Sequence, residues 1–413
     1  MTKFEAILTE KMSAESLAKL MALQNEKVLQ FVGTFAEHCD PASIYVCDDS
    51  EKDTQYVRDK ALALGEEFTL AHSKQTIHWD GYGDQARDKK NTRFMVYKEN
   101  MAEMATLNSV EYEQGYAEIM SIAKGIMKGK EAVVLFYSEG PTQSPFTIPC
   151  IQFTDSWYVA HSENILYRTA YTHFLNMKET EKGDFFRFIH SAGPLDENNC
   201  SADLENRRIY MDTRNNIVYS MNNQYAGNSV GLKKHSMRLA INKSGKEGWL
   251  CEHMFVMAAL DKEKNRKTYF CGAYPSACGK TSTAMIPGEQ IVGDDIAYFR
   301  NINGEFRAVN VEFGMFGIIK DVNEQDDPVI FKNLMMNQEV IFSNVLCGPD
   351  NRPYWLGMGV EAPEEGRNHF GQWRKGLQDA TGKEVGVAHG NARYTMRLDY
   401  LDNIDKQGFE AKD

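Results

Sequence analysis

The fold is decided by one stretch of the sequence, Thr268-Tyr269-Phe270-Cys271-Gly272-Ala273-Tyr274-Pro275-Ser276-Ala277-Cys278-Gly279-Lys280-Thr281. Its first six residues are typical of a strand, and the small residues after them lead into a Lys-Thr pair that opens a predicted helix. Backbone N–H groups at a helix N-terminus bind anions. The strict phosphate-loop pattern requires a glycine where this chain has Tyr274. The stretch predicts an α/β fold with a phosphate cradle, although Gly279-Lys280-Thr281 alone would more simply be a surface turn.

Two adjacent acids, Asp294-Asp295, follow the loop directly after Val292-Gly293. Paired carboxylates at the end of a strand suit a divalent cation that bridges phosphates. Most Asp-Asp pairs are solvated turns, and that is the simpler interpretation of this pair taken alone. A phosphate loop with a pair of acids close behind it favours a phosphate-and-metal site.

The overall composition is that of an ordinary globular protein, with 413 residues, 42% hydrophobic and 25% charged. A net charge of −12 argues against nucleic-acid binding but not against a small anion in a local basic cleft. The sequence contains no apolar run of about 18 residues and no signal peptide, so we expect a cytoplasmic protein that does not bind membranes. The eight cysteines include no C-x-x-C pair, which argues against structural zinc and a disulfide framework.

Local patterns predict an early alternation of helices and strands. The first 40 residues are typical of helices, with Ser13 as a candidate cap. Residues 43–47 and 132–137 are predicted strands, and residues 53–64 a predicted helix. The chain is predicted to divide near residue 245, into an α/β domain at 1–245 and a P-loop domain at 246–413.

The longer motifs resemble those of phosphoenolpyruvate carboxykinases of the GTP-type branch. The segments that carry the resemblance are residues 140–145, 154–159, 225–229, 233–234, 247–254, 273–281, 293–297 and 389–393. The resemblance runs from about Arg87 to Arg393. It implies the carboxykinase fold, with an N-terminal substrate domain and a P-loop domain that is truncated relative to the family.

The resemblance implies a catalytic Mn²⁺ bound by Lys234, His253 and Asp295. A lysine can bind a metal only as the neutral amine, so its pKa must be depressed from about 10.4. A second ion, Mg²⁺ or Mn²⁺, would enter with the phosphoryl donor at Thr281. Without the resemblance, Lys233-Lys234 would be a surface pair and His253 a core residue on an apolar helix.

The remaining implied roles concern substrate, phosphate and catalysis. The substrate-binding residues would be Arg87, Tyr225, Gly227, Ser276, Asn391 and Arg393. The phosphate-binding residues would be Ala277, Cys278, Gly279, Lys280, Thr281 and Asp294. The catalytic residues would be Lys233, Cys278, Lys280 and Arg393. We also expect the Cys278 thiol to be reactive, because a helix N-terminus lowers a thiol pKa.

The implied reaction converts oxaloacetate and a phosphoryl donor reversibly into phosphoenolpyruvate and CO2. The donor would be GTP, released as GDP, or pyrophosphate, released as phosphate. Ala226-Gly227 replaces the family's Gly-Gly, residues 318–320 lack its Ala-Pro-Gly-Thr, and the sequence stops at Asp413 without a base pocket. These departures favour pyrophosphate over GTP, or a fragment completed by a second polypeptide. A non-catalytic scaffold subunit and a small-molecule kinase on the same fold are the alternatives.

Overall fold

The computed structural model describes residues 3–81, 88, 90–102, 104–225, 232–274 and 279–412. In these ranges the helices, α1 to α11 in chain order, span Lys3–Lys11, Ala14–Ala22, Glu26–Cys39, Glu51–Ala63, Tyr112–Ala123, Trp157–Leu166, Tyr171–Leu175, Lys234–Glu247, Lys280–Ala284, Pro328–Leu334 and Lys406–Glu410. The helices predicted for the first 40 residues are confirmed as α1, α2 and α3. Ser13 caps α2, because its hydroxyl accepts a hydrogen bond from the Ser16 N–H at 3.1 Å. None of the helices in the described ranges is long and apolar enough to cross a membrane.

The strands of the described chain divide among five sheets. Numbered β1 to β24, they span Ser43–Val46, Phe68–Thr69, Gln75–His78, Thr92–Val96, Ser109–Glu111, Glu131–Glu139, Ile148–Thr154, Arg168–Thr169, Phe186–Ser191, Arg208–Asp212, Ile217–Met221, Leu250–Glu252, Phe255–Asp261, Arg266–Gly272, Gln290–Gly293, Ala297–Ile302, Glu305–Asn310, Gly314–Ile318, Val340–Ser343, Leu346–Cys347, Pro353–Tyr354, Glu365–Asn368, Gly371–Arg374 and Arg393–Arg397. The strands predicted at residues 43–47 and 132–137 are confirmed as β1 and β6.

The largest sheet is mixed and belongs to the N-terminal part of the chain. Its strands follow the order β1-β6-β7-β9-β11-β10-β4-β5, and β8 adds to β6. Along β6 the side chains of Ala132, Val134 and Phe136 join the core that also contains the N-terminal helices α1 to α3. The alternate side chains of Val133, Leu135 and Tyr137 join a second core with α8 on the other side. Because β6 is buried on both faces, its residues 132–137 are all apolar or aromatic instead of alternating with polar ones.

The phosphate loop is built on a small antiparallel sheet, β14-β13-β15, next to a second one, β12-β16-β17. The predicted strand at residues 268–273 is confirmed as β14, and the short helix α9 opens at Lys280. A five-stranded sheet, β18-β24-β19-β3-β2, forms the third core with α10 and α11. The apolar run at residues 249–260 forms two strands, β12 and β13, so the interpretation of His253 as a residue on an apolar helix is wrong. Leu250, Cys251 and Glu252 pair with β16 in an antiparallel ladder, so this part of the run is a strand and not a helix.

Candidate active site

Strand pairing brings three distant segments to one point. Lys234 is the first residue of α8, His253 lies between β12 and β13, and Asp295 follows β15. The antiparallel pairing of β13 with β15 aligns Val256 with Gly293. Residues just before β13 and just after β15 therefore meet at the same end of the two strands.

The side chains of Lys234, His253 and Asp295 converge on one another. The Lys234 Nζ atom lies 2.8 Å from His253 Nε2 and 2.6 Å from Asp295 Oδ2. His253 Nε2 lies 2.5 Å from Asp295 Oδ1. Within the described ranges, no three or more His, Cys, Asp or Glu side chains are arranged to hold a metal. A metal at this point would therefore need the lysine amine as one of its three protein donors.

The electrostatics of Lys234 and Asp295 fit a cation. Burial lowers the pKa of the Lys234 amine to about 8, although Asp295 opposes the shift. Burial alone would raise the pKa of Asp295, but Lys233, Lys234 and neighbouring donors hold it well below its usual range. The lowered pKa makes the Lys234 proton easier for a cation to displace, and the Asp295 carboxylate is already ionised, as a metal ligand must be.

The phosphate-loop lysine belongs to the same cluster. Lys280 Nζ lies 2.8 Å from Asp295 Oδ1 and also donates a hydrogen bond to the carbonyl of Asp294. Gly279 precedes the helix with φ +83°, a conformation that glycine adopts without strain. The Asp294 Oδ1 atom is buried, lies 3.8 Å from Lys280 Nζ and has no hydrogen-bond partner among the described residues. A buried acidic oxygen without a hydrogen bond, next to the loop, fits a second cation bound with phosphate.

A second polar group lies at the start of β24. The Tyr225 hydroxyl accepts hydrogen bonds from Asn391 Nδ2 and Arg393 Nε, each at 2.8 Å. An Arg393 guanidinium N–H also donates to Asn391 Oδ1 at 2.8 Å. The guanidinium carbon stands 5.3 Å from the centre of the Phe316 ring. The arginine is thus held rigidly by hydrogen bonds and a cation–π contact.

Lys234, His253 and Asp295 form a metal-type cluster. One cavity of about 520 Å³ joins this cluster to the phosphate loop and to Arg393. Its lining includes Lys233, Lys234, His253, Gly279, Lys280, Thr281, Ser282, Asp294, Asp295, Phe316, Lys320, Asp321 and Arg393. The cavity is large enough for a small dicarboxylate together with phosphate groups. Arg87, Gly227, Ser276, Ala277 and Cys278, all predicted from the sequence, lie outside the described residues.

The sequence prediction omitted several residues of this region. Phe316, Lys320 and Asp321 line the cavity, and Glu312 contacts Lys233 from behind it. Glu312 gave no signal in a single sequence, because one acid in Asn310-Val311-Glu312 is indistinguishable from a surface residue. A buried lysine requires an acidic partner, but the sequence did not predict that Lys233 is buried.

Two protein-family models match the chain along most of its length. The phosphoenolpyruvate carboxykinase N-terminal domain matches residues 30–245, and the phosphoenolpyruvate carboxykinase C-terminal P-loop domain matches residues 249–413. The chain belongs to the phosphoenolpyruvate carboxykinase family. Membership implies use of a divalent metal, in agreement with the donor set around Asp295.

Individual members of the family are also similar to this chain in sequence. Proteins named phosphoenolpyruvate carboxykinase (GTP) are 51% identical over 400 residues in Pyrococcus horikoshii and 49% identical over 403 residues in Pyrococcus furiosus. These matches cover 97% and 98% of this chain, and 63% and 64% of the relatives. The relative of the same name from Saccharolobus solfataricus is 41% identical over 392 residues, which are 95% of this chain and 61% of that protein. The chain thus spans less than two thirds of the length of these relatives.

Proposed function

We propose that this chain catalyses the reversible conversion of oxaloacetate and a phosphoryl donor to phosphoenolpyruvate and CO2. The observation that carries the proposal is the convergence of Lys234, His253 and Asp295 within 2.8 Å of one another, with Lys280 on the same carboxylate. A metal-type cluster that shares an acid with a phosphate-loop lysine suits phosphoryl transfer. Family membership supports the choice of substrate.

We propose Mn²⁺ as the cation at Lys234, His253 and Asp295, with Mg²⁺ or Mn²⁺ entering with the donor at Thr281. A nitrogen-rich donor set with one carboxylate is compatible with a transition metal and is unusual for Mg²⁺, which prefers oxygen ligands. When bound, such a cation supplies Lewis-acid stabilisation of an enolate oxygen.

The chain's own residues would then position the reactants. Arg393, fixed by Tyr225 and Asn391, would bind a substrate carboxylate or the transferring phosphoryl group. The C–C bond to the leaving carboxylate breaks, and its electron pair stays in the enolate while CO2 departs. The enolate oxygen then attacks the terminal phosphorus of the donor, whose bridging P–O bond breaks. Lys233 and Lys280 would offset the negative charge of these species.

We propose GTP as the donor, because the similar relatives are named for GTP. The sequence alone favoured pyrophosphate, and the names of the relatives reverse that preference. Association with a second polypeptide stays a prediction. A cytoplasmic location also stays a prediction.

The test is an assay of the purified chain with oxaloacetate and Mn²⁺, in which GTP, ATP, ITP and pyrophosphate are each supplied in turn. We expect phosphoenolpyruvate to form with GTP and to be lost in the Asp295→Asn variant. Asp405→Asn is the matched control, because this buried acid pairs with Lys267 and Tyr269, away from the cavity. Product with pyrophosphate alone would overturn the choice of GTP. Normal Mn²⁺ binding without product from any donor would favour a scaffold subunit.

A further inference from the structure

Behind the metal-type cluster, Lys233 is shared between two carboxylates. Its Nζ atom lies 2.5 Å from Glu312 Oε1 and 3.0 Å from Asp295 Oδ2. The side chains of Lys233 and Glu312 are only 4% and 1% exposed. The ammonium therefore connects the metal-type carboxylate on the cavity side to a second carboxylate in the core.

Glu312 depends on this lysine for its charge balance. Among the described residues, Lys233 is the basic side chain within ion-pair distance of Glu312. Removing one partner of a buried ion pair leaves an uncompensated charge, which is far more costly than losing an exposed pair. Each partner therefore constrains where the other can lie.

The backbone at Lys233 is unusual as well. This residue lies directly before α8 and has φ +70° and ψ −110°, a combination that residues other than glycine rarely adopt. Such strain persists only where surrounding contacts hold it, and it is frequent at functional sites. The contact with Glu312 holds the far end of the same residue.

A turn after β17 connects Glu312 to the other side of the cluster. The Asn310 Nδ2 group donates to the carbonyl of Glu312, and the Glu312 N–H donates to Asn310 Oδ1 at 3.4 Å. A Cβ atom added to Gly293 would stand 2.1 Å from Asn310 Oδ1. Asn310 therefore packs directly on the backbone that leads into Asp294-Asp295, so one turn supports both Asp295 and Lys233.

We propose that Glu312 is a positioning residue, which holds the Lys233 ammonium beside Asp295 so that it faces the anionic substrate in the cavity. This inference rests on the proposed function, since the substrate is taken to be phosphoenolpyruvate or oxaloacetate. Glu312 acts through Lys233 and does not itself reach the reactants.

The test measures binding of phosphoenolpyruvate to the chain at saturating Mn²⁺ by calorimetry, with turnover of oxaloacetate and GTP recorded in parallel. Glu312→Gln keeps the shape of the side chain but removes its charge, and we expect phosphoenolpyruvate affinity to fall about tenfold. In the Lys233→Met background the same change should add no further loss, because the residue through which Glu312 acts is already gone. If Glu312→Gln fails to fold, Glu312→Asp withdraws the carboxylate while keeping its charge, and the same loss is expected.

Glu139→Gln is the matched control. Glu139 is an equally buried carboxylate, and its Oε2 accepts a hydrogen bond from the Tyr298 hydroxyl at 2.6 Å; it forms no ion pair with a lysine among the described residues. Its substitution should leave phosphoenolpyruvate affinity unchanged. Unchanged affinity in Glu312→Gln, or losses that multiply in the double variant, would overturn the positioning role. A wild-type chain that binds phosphoenolpyruvate without turnover would refute the proposed function. The binding measurements on the variants would still test the positioning role.

Discussion

Lys280 and Asp295 form an ion pair, with the lysine Nζ atom 2.8 Å from Asp295 Oδ1. The same carboxylate contacts Lys234 through its other oxygen. A metal ion bound to Asp295 would displace the Lys280 ammonium from this carboxylate. A phosphate bound to Lys280 would displace the carboxylate from the ammonium. The two binding events are therefore coupled through a single carboxylate.

The coupling predicts that Lys280→Met lowers turnover without weakening metal binding. Turnover should fall by about 10²- to 10³-fold, because the charge on the transferring phosphoryl group loses a preorganised cation. Mn²⁺ affinity should not weaken, because the ammonium that competes for Asp295 is gone. Steady-state kinetics and titration of Mn²⁺ followed by electron paramagnetic resonance measure the two quantities. Lys267→Met is the control, since Lys267 forms its ion pair with Asp405 at 3.0 Å. Parallel losses of turnover and Mn²⁺ affinity would contradict the competition.

Metal binding itself should depend on His253. His253→Asn withdraws the imidazole nitrogen from Lys234 and Asp295, so Mn²⁺ affinity should fall at least about tenfold. The same titration measures it, and thermal unfolding checks that the variant folds. His72→Asn is the control, because His72 lies between β2 and β3 and does not line the cavity. If both variants bound Mn²⁺ as well as the wild type does, His253 would not be a ligand.

The close contact at Gly293 predicts a stability effect. Gly293→Ala would bring a Cβ atom to 2.1 Å from Asn310 Oδ1, so the turn must shift. We expect a loss of about 1–3 kcal/mol in the free energy of unfolding, as in other overpacked sites. Gly245→Ala is the matched control, because no atom of the described residues lies within 4 Å of its added Cβ and the residue is inside α8. That change should stabilise the protein by up to about 1 kcal/mol. Urea unfolding of both variants measures the difference, and equal effects would refute the contact.

Much of the fold followed from local patterns, and the contacts that complete the site did not. The cap at Ser13 and the apolar strand β6 depend on neighbouring residues, so the sequence alone predicted them. Lys233 and Glu312, by contrast, are 79 residues apart. The parallel pairing of β19 with β3 joins Ile341 to Thr76. No local pattern specifies such distant partners.

The candidate site shows the same division. The phosphate loop and Asp294-Asp295 were visible because their residue types and order carry chemistry by themselves. Tyr225, Asn391 and Arg393 are ordinary polar residues in isolation, and only the resemblance singled them out. Their mutual hydrogen bonds depend on how β24 packs beside the segment after β11, which a single sequence does not encode locally.

A buried histidine outside the site predicts how stability depends on pH. Burial alone would lower the pKa of His161, but Glu67 and Glu339 outweigh it and raise that pKa to about 9. The protonated form is therefore favoured in the folded state, so its contribution is complete below about pH 6.5 and is lost as the pH rises towards 9. Its magnitude is on the order of 3 kcal/mol. His161→Gln should flatten the unfolding free energy across this range in denaturant titrations. A wild-type profile without a decline there would contradict the assignment.

The Tyr225 hydroxyl predicts a loss in substrate binding without a loss of fold. Tyr225→Phe keeps the ring, whose centre lies 5.8 Å from that of Phe316, but removes the oxygen that accepts from Asn391 and Arg393. With each hydrogen bond contributing about 1 kcal/mol, KM for oxaloacetate should rise about tenfold as the guanidinium loses its fixed orientation. Tyr45→Phe is the control, because its hydroxyl donates to Asp53 at 2.8 Å, far along the chain from β24. That variant should keep its KM. If Tyr225→Phe also kept its KM while its melting temperature fell, the hydroxyl would only stabilise the fold.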